Sequence, residues 1–430
     1  MEKLSKVKTE NYFTKNYLES ISILDNIDWD FSSKSFISKA MTPFDCRKYH
    51  WFPATFIPEI PYTLIETLTH TNATVYDPFA GIGTTYFQAL LLSRRPYATE
   101  NCQVAVEFMK SLQTLFNPET DFRFVKETVE NELEKFASNV NYLESIPSES
   151  HIRTLFGEMR SWYHPNTLNQ LAYLTLLEDS CNNPSVKAAM RISISAILKR
   201  ASSQSRGWGC IADNVAPKGS EIQEKNAINM LLAKVNGLLS DLSKHLDFVS
   251  PEYCQLYKEI VQKETIFHAD TRKSENVPDD SVDLIVTSPP YPKMTDYVKS
   301  QRLSYYWLGM TLSNKNGSTP DLDREIGARR RRHVPSALQQ YFEDLQEVNR
   351  MLSKKTKDGG YVCFVMPMFG SANPNDTERR HVVQKIMSDL GNYFIKEREL
   401  ERVIPAIRRT HNIKWSTLER EKIYVFRKGK

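Results

Sequence analysis

The sequence lacks any long hydrophobic run, and this limits where the protein can act. No apolar stretch approaches the roughly 18 residues that a membrane-spanning helix requires. The first residues, MEKLSKVKTENYF, also lack the apolar segment of a secretory signal peptide. Both absences predict a cytoplasmic protein that does not enter a membrane.

Cysteine is scarce and scattered. The six cysteines include no CxxC pair, the spacing typical of structural zinc sites and of thiol redox sites. A zinc site and a disulfide framework are therefore both poorly supported, and reduced thiols fit a cytosolic protein. The apolar fraction of 40% is nevertheless that of an ordinary soluble core, and 430 residues are enough for two or three domains.

The net charge is small, at +4, but positive charge is concentrated in the C-terminal half. RRRRH occupies Arg329 to His333, and RRTH occupies Arg408 to His411. Basic clusters of this kind often contact phosphate, although a single cluster is more often a solvated surface. We expect phosphate contacts from the first cluster, which consists of Arg329, Arg330, Arg331 and Arg332.

Strand and helix patterns alternate in two separate parts of the chain. TVYD, PYATE, ETIFHAD, VDLIVTS, GGYVCFVMP and EKIYVFRK are typical of strands, and most are followed by apolar residues at helical spacing. Strands that alternate with helices predict a parallel α/β sheet. From Asn101 to about Gln262 the pattern is almost entirely helical, and this block is too long to be an ordinary loop. The sequence therefore predicts an α/β sheet interrupted by a helical insertion.

A glycine-containing turn, DPFAGIGTT, follows the first predicted strand. Gly81 and Gly83 would let the backbone approach a ligand closely. Glu100, at the end of the next strand, could accept hydrogen bonds from two ribose hydroxyls. The full GxGxxG pattern of dinucleotide sites is absent because position 86 is Tyr. These features favour a nucleoside ligand without phosphates.

Two consecutive prolines end the fourth predicted strand, in VTSPPYP. Pro289 and Pro290 restrict their own backbone angles and donate no hydrogen bond, so the chain leaves the sheet at Ser288 in a stiff shape. Such a loop can simply terminate a strand. It can also present a side chain and a carbonyl to a ligand in a defined geometry.

With these motifs the chain resembles the amino-methyltransferases of DNA that use S-adenosyl-L-methionine (AdoMet). Asp77 to Thr84 is similar to the glycine motif of that family. Ser288 to Tyr291 is similar to its catalytic motif, whose TSPPY form is typical of cytosine-N4 enzymes. HWFPATFIPEI looks like the segment that closes over the methionine part of AdoMet, and ETIFHADTRK like the motif with an acid near the adenine ring. TDYVKSQRLSYYWLG resembles the helix after the catalytic loop.

The resemblance covers roughly residues 39–100 and 264–430, and it implies a fold and three parts of the chain. The expected fold is a doubly wound, mostly parallel, Rossmann-like sheet of the class I methyltransferase type. Residues 1–105 and 263–430 would form the catalytic domain, and the mostly helical insertion, 106–262, a DNA-recognition region. The glycine motif precedes the catalytic motif here, whereas many members have the reverse order. That difference leaves the position of the recognition region open.

The resemblance also implies the site residues. The implied cofactor-binding residues are Phe52, Pro53, Asp77, Pro78, Phe79, Gly81, Gly83, Thr84, Glu100 and Asp270. The implied catalytic residues are Ser288, Pro289, Pro290 and Tyr291. Contacts to DNA are expected from the run Arg329 to Arg332 and from Arg206, which lies beside aromatic residues in the insertion.

The implied reaction transfers a methyl group from AdoMet to the N4 amine of a cytosine flipped out of duplex DNA. The Ser288 hydroxyl and the Pro289 carbonyl would accept the N–H bonds of the amine as charge develops on its nitrogen. Tyr291 would stack on the base, and no metal is needed. Methylation at C5 of cytosine would instead need a thiolate, commonly presented after proline, and the chain contains no Pro-Cys pair.

Three other functions stay open at the level of the sequence. An adenine-N6 DNA methyltransferase can share these motifs, and so can an enzyme that methylates a guanine amine in RNA. A nucleic-acid-binding protein that kept the fold without catalysis is the third, and the intact motifs argue against it. A DNA methyltransferase of the expected kind would act in a restriction-modification system, beside a separate restriction endonuclease.

Overall fold

The structure, a computed structural model, describes residues 17–31, 43–146, 159–204, 216–310, 312–314, 317–370, 374–404 and 418–429. Its strands are β1 (Thr74–Asp77), β2 (Arg95–Glu100), β3 (Ile266–His268), β4 (Val282–Thr287), β5 (Ser313–Asn314), β6 (Gly317–Ser318), β7 (Thr356–Pro367), β8 (Ile395–Val403) and β9 (Arg420–Arg427). β5 and β6 form a small antiparallel hairpin. The others form one seven-stranded sheet in the order β3-β2-β1-β4-β7-β9-β8.

The seven-stranded sheet is mostly parallel. β3, β2, β1, β4 and β7 run in one direction, whereas β9 is antiparallel to both of its neighbours, β7 and β8. The strand order reverses between β1 and β4, and in doubly wound sheets ligands bind beyond the carboxyl ends of the strands at such a point. The predicted fold class is thereby confirmed.

The helices flank this sheet, and many of them lie between β2 and β3 in the sequence, although these two strands are neighbours in the sheet. Within the described residues the α-helices are α1 (Tyr17–Leu24), α2 (Glu59–Leu68), α3 (Thr84–Leu91), α4 (Gln103–Leu115), α5 (Phe122–Leu133), α6 (Tyr142–Ser145), α7 (Pro165–Ser180), α8 (Pro184–Ala201), α9 (Ala227–Leu246), α10 (Pro251–Ile260), α11 (Tyr297–Ser300), α12 (Arg302–Trp307), α13 (Pro320–Arg324), α14 (Ala337–Lys355) and α15 (Pro374–Leu390). No helix in this part of the chain is both long and apolar enough to cross a membrane.

Local sequence explains where several of these elements begin. α3 starts directly after Gly83, whose φ of +86° is unfavourable for residues with a side chain. α8 starts with Pro184 in its first turn, where a proline loses no helical hydrogen bond. The side chain of Asn183 caps this helix by accepting from the N–H groups of Ser185 and Val186.

The insertion packs against the sheet domain through a continuous apolar core. One buried cluster joins α14 and α15 to one face of the sheet, and another joins α1 and α2 to the opposite face. A third and larger cluster runs from α3 and α4 into α7, α8, α9 and α10. The indole of Trp307 in α12 also donates to the hydroxyl of Thr175 in α7, at 3.0 Å. The inserted helices therefore share their core with the helices that cover the sheet.

Candidate active site

A cleft of about 770 Å³ lies beyond the carboxyl ends of β1, β2, β3 and β4. It brings together most of the residues that the sequence predicts for a site. Those that line it are Phe52, Pro53, Pro78, Phe79, Gly81, Thr84, Glu100, Asp270, Ser288 and Pro290. Of the predicted cofactor-binding and catalytic residues, four are not among the lining residues, namely Asp77, Gly83, Pro289 and Tyr291, and the run Arg329 to Arg332 also lies outside this lining. Arg206 falls outside the described residues.

Glu100 is held at the floor of the cleft by backbone groups. Its Oε2 accepts from the N–H of Gly81 at 2.7 Å, and its Oε1 accepts from the N–H of Cys102 at 2.8 Å. Burial raises the pKa of this carboxyl to about 7, although both hydrogen bonds oppose the shift. The carboxylate is therefore oriented before any ligand arrives.

The two glycines of the turn have different surroundings. Gly81 has a φ of +53°, and a Cβ added there would lie 3.4 Å from the ring of Phe52 across the cleft. A Cβ on Gly83 would instead meet Met109 and Phe87 at 2.9 Å, in the core. Gly81 thus keeps the cleft open, whereas Gly83 allows close packing beneath the turn.

Asp77 lies under the turn and joins two strands of the sheet. Its Oδ1 accepts from the hydroxyl of Thr287 at 2.6 Å and from the N–H of Phe79 at 3.0 Å. The side chain is buried, and this raises the pKa of Asp77 to about 6. Since Thr287 directly precedes Ser288, Asp77 connects the glycine turn to the proline loop.

Phe52 covers one side of the cleft, and contacts of Phe52 and of the nearby His50 hold this segment in place. The ring of Phe52 stacks on Tyr297 with 5.8 Å between the centroids. Two residues earlier, His50 is hydrogen-bonded by Nε2 to Gln301 at 3.1 Å and by Nδ1 to Ser195 of α8 at 2.9 Å. Burial lowers the pKa of His50 to about 4, so the ring is neutral near pH 7. The insertion therefore helps to hold the segment that covers the cleft.

Asp270 and Asn101 line the part of the cleft next to Glu100. Asp270 is engaged by the guanidinium of Arg272 at 2.7 Å. Asn101 donates from Nδ2 to the carbonyl of Asp321 at 2.6 Å, which fixes the orientation of its amide. Its buried Oδ1 has no hydrogen-bond partner among the described residues. The cleft thus contains an oriented carboxylate beside an amide whose buried oxygen is unpaired.

The proline loop after β4 is fixed at several points. Ser288 is half-buried and lines the cleft. The carbonyl of Pro290 accepts from the hydroxyl of Tyr341 at 2.9 Å. Tyr291 is buried, and its hydroxyl donates to Glu421 at 2.8 Å. These contacts hold the loop in the stiff shape that its prolines predict.

The arginine run forms a 3₁₀ turn from Arg329 to Arg331, and its members differ in their surroundings. Arg330 contacts the carboxylate of Glu325, lies 3.8 Å from that of Asp296, and is 21% exposed. Burial raises the pKa of Glu325 to about 7, and Arg330 opposes that shift. Arg330 is therefore engaged within the protein, whereas Arg332 is exposed.

Arg332 borders a second cavity, of about 490 Å³, next to the proline loop. The other basic residues on its wall are Lys293, His333 and Arg379, and Glu378 is the one acid among the lining residues. Lys293 follows the loop after β4, and Arg379 lies near the start of α15, which follows β7. Since β4 and β7 are parallel neighbours, this basic cavity lies at the same edge of the sheet as the cleft.

Comparisons with known proteins agree with this geometry. Residues 5–111, which include the glycine turn and Glu100, match the sequence model of a family described as DNA methylase. The chain is also similar to the Type II methyltransferase M.MvaI of Kocuria varians, with 24% identity over 281 residues. That similarity covers 63% of this chain and 59% of the relative, so the chain matches about three fifths of the relative's length.

The predicted resemblance to the DNA amino-methyltransferases is confirmed by these matches. The cofactor that this fold and this similarity imply is AdoMet, and the residues of the cleft fit it. Glu100 offers a carboxylate for ribose hydroxyls, Asn101 lines the cleft beside it, and Gly81 leaves space between the turn and Phe52.

Several residues around the site were missed by sequence reasoning. Asn101 follows Glu100 directly, so its position was the available signal. Glu325, Glu421 and Arg402 belong to no motif, and Glu325 and Glu421 contact residues that are 28 and 130 positions away in the sequence, Tyr297 and Tyr291. Nothing in their immediate sequence could have identified them.

Proposed function

We propose that this protein is a site-specific DNA methyltransferase that transfers a methyl group from AdoMet to the N4 amine of a flipped-out cytosine. The observation that carries the proposal is the single cleft that joins the glycine turn and Glu100 to Ser288. A nucleoside-binding site and a stiff acceptor loop in one cavity suit transfer between a nucleoside cofactor and an amine. The family match supports a DNA substrate.

The cofactor half of the cleft would hold AdoMet through this chain's own groups. Glu100 would accept hydrogen bonds from the ribose hydroxyls, and Phe52 and Pro53 would cover the ligand. Asp270 and Asn101 lie on the same wall, next to Glu100, where they would contact the adenine. When bound, AdoMet supplies an electrophilic methyl group on a sulfonium, so neither a metal nor a covalent nucleophile is required.

The part of the cleft next to Ser288 would bind the amine that receives the methyl group. The lone pair of an exocyclic amine is delocalised into the base, and the nitrogen must pyramidalise before it can attack. The Ser288 hydroxyl and the Pro289 carbonyl would accept its N–H bonds and stabilise the positive charge that develops on nitrogen. The base must first leave the duplex, since its edge is otherwise out of reach.

The serine of SPPY favours cytosine-N4 over adenine-N6 methylation, because the serine form is typical of the cytosine enzymes that this chain resembles. The direct test incubates the protein with labelled AdoMet and duplex DNA, with labelled AdoMet and tRNA, or with labelled AdoMet alone. The nucleic acids are then digested to nucleosides and analysed by mass spectrometry. N4-methylcytosine in DNA is the expected product. N6-methyladenine as the product would show that the target base is adenine and not cytosine. Label in tRNA alone would refute a DNA substrate.

The helical insertion is proposed as the DNA-recognition region, and the protein as the cytoplasmic methyltransferase of a restriction-modification system. The insertion supports one side of the cleft through the contact between Ser195 and His50. Arg206, which we propose contacts DNA, belongs to it. A cognate restriction endonuclease would be a separate protein.

The DNA backbone is proposed to pass along the basic edge formed by Arg331, Arg332 and the second cavity. We expect the double variant Arg331→Ala and Arg332→Ala to weaken binding of cognate and non-cognate duplexes by similar factors, because phosphate contacts carry no sequence information. Each lost contact should reduce the slope of log affinity against log salt by about 0.9. Fluorescence anisotropy over a salt series measures both quantities.

The control for this variant is Lys354→Ala. Lys354 is exposed near the end of α14, which leads into the amino end of β7, so it lies at the opposite edge of the sheet. Its removal should leave the salt slope unchanged. Arg330 is not substituted in this variant, because its loss would leave the buried carboxylate of Glu325 without its ion-pair partner. A wild-type slope in the double variant would show that these arginines are only solvated.

AdoMet affinity should depend on pH through Glu100. Its pKa of about 7 means that the carboxylate gains a proton as pH falls below that value, and a protonated carboxyl is a poorer acceptor for ribose hydroxyls. We expect the affinity to fall by about tenfold per pH unit well below 7 and to level off above it. Calorimetric titrations at several pH values measure this dependence.

The matched variant for the pH series is Glu100→Gln. It should bind AdoMet more weakly at neutral pH and should lack most of the pH dependence. Asp77, whose pKa is raised to about 6, is unchanged in this variant and would account for what remains. An identical pH profile in wild type and variant would contradict the assignment of Glu100 to the ribose.

A further inference from the structure

A buried charged pair lies behind the tyrosine of the proline loop. Tyr291 is 8% exposed, and its hydroxyl donates to Oε1 of Glu421 at 2.8 Å. The other oxygen of Glu421 accepts from Arg402 at 2.8 Å, and the side chains of Arg402 and Glu421 are 3% and 11% exposed. The three residues therefore form a connected chain of hydrogen bonds with little access to water.

The sheet topology explains how Glu421 reaches this loop. β9 is antiparallel to β7, so its first residues lie beside the last residues of β7, and Glu421 is paired with Pro367. That end of β7 is the carboxyl edge, where β4 also ends and the proline loop begins. Arg402 is the direct neighbour of Glu421 on β8. The strands β8 and β9 thus place the carboxylate of Glu421 and its counter-ion, Arg402, at the carboxyl edge of the sheet, beside the proline loop.

A buried ion pair is weak evidence for stability, because desolvation of two charges offsets most of their attraction. Apolar side chains of similar size would fill this space without that cost. The pair does, however, provide a fixed acceptor for one phenol hydroxyl. A phenylalanine in place of Tyr291 would keep an aromatic ring but could not use this acceptor.

We propose that Glu421, held by Arg402, is a positioning residue that acts through the hydroxyl of Tyr291. The bond fixes Tyr291 and, through the adjoining prolines, the orientation of the Ser288 and Pro289 acceptors toward the amine. The contact between Tyr341 and the Pro290 carbonyl fixes the loop from the other side. This inference rests on the proposed methyl transfer, and it makes the hydroxyl of Tyr291, in addition to its ring, important for the rate.

The test compares Tyr291→Phe, Glu421→Ala and the double variant in single-turnover methyl transfer with saturating AdoMet and DNA. Each single variant should slow the reaction on the order of tenfold to a hundredfold, the range that small misplacement of reacting groups produces. The double variant should be no slower than the worse single variant. Glu421→Gln keeps an acceptor for the hydroxyl and should be faster than Glu421→Ala.

Two controls separate positioning from loss of structure. Tyr253→Phe removes another buried tyrosine hydroxyl, which donates to the Phe116 carbonyl in the helical core, and it should leave the rate unchanged. AdoMet affinity, measured by calorimetry, should be the same in Tyr291→Phe as in the wild type. If Glu421→Ala does not fold, Tyr291→Phe alone decides the question.

The outcomes distinguish this inference from the proposed function. A wild-type protein that methylates DNA, with Tyr291→Phe reacting at the wild-type rate, overturns the positioning role alone. A loss of rate in Tyr291→Phe that disappears once AdoMet is saturating also overturns it, because the effect would then lie in cofactor binding. A wild-type protein that methylates no nucleic acid refutes the proposed function, and this inference with it.

Discussion

Gly81→Val is expected to abolish AdoMet binding. A Cβ at this position would already lie 3.4 Å from Phe52, and the two methyl groups of valine would extend further into the cleft. Valine also tolerates the φ of +53° poorly, so the turn would shift and the bond from the Gly81 N–H to Glu100 would weaken. We expect at least a hundredfold loss of affinity, or about 3 kcal/mol, by isothermal titration calorimetry.

The control for backbone strain is Gly359→Val. Gly359 has a φ of +80°, yet nothing lies within 4 Å of a Cβ built there, and it is near the amino end of β7, away from the cleft. The substitution should destabilise the fold by about 1–2 kcal/mol through the same backbone conformation while AdoMet affinity stays unchanged. A folded Gly81→Val protein with wild-type affinity would reject the assignment of the cleft to AdoMet.

Ser288→Ala is expected to separate chemistry from cofactor binding. The change removes one acceptor for the amine and should lower transition-state stabilisation by about 3 kcal/mol, or roughly a hundredfold in rate, by analogy with the loss of one preorganised hydrogen-bonding group. AdoMet affinity should change little, because Glu100 and the glycine turn are untouched. Single-turnover methyl transfer and calorimetry measure the two effects separately.

Ser281→Ala is the matched control. Ser281 directly precedes β4, whereas Ser288 directly follows it, so the control removes a serine hydroxyl at the opposite end of the same strand. That hydroxyl donates to the Pro278 carbonyl at 2.7 Å and is far from the acceptor loop along β4. Its loss should leave the rate unchanged. If Ser288→Ala also reacts at the wild-type rate, SPPY only terminates the strand, and the acceptor role of Ser288 is wrong.

Much of the sheet could be predicted because its parallel strands are marked locally. TVYD became β1 with the predicted bounds, and a helix, α3, follows the glycine turn as the apolar spacing predicts. A buried strand, a glycine at positive φ and a helix of apolar residues follow one another within a few positions. β8 was not predicted, because its alternating charged residues suit an edge strand and lack the apolar signal of a buried one.

Sequence patterns could not predict which arginines of the run pair within the protein and which are exposed. Arg329 to Arg332 have the same charge and neighbouring positions, so composition treats them alike. Only the folded chain, which brings Asp296 to Arg330 from 34 residues away and buries Glu325 beside it, makes Arg330 an internal partner and leaves Arg332 at the surface.

The sequence by itself determined the parts of the site whose chemistry depends on short-range geometry. A glycine turn needs positive φ within a few residues, and two prolines restrict their own backbone, so DPFAGIG and SPPY can be recognised without their surroundings. Only the tertiary structure decided which groups orient these motifs. Glu421 is 130 residues from Tyr291, and Thr287 is 210 from Asp77. Strand order and direction create such contacts, and these depend on how the whole sheet packs.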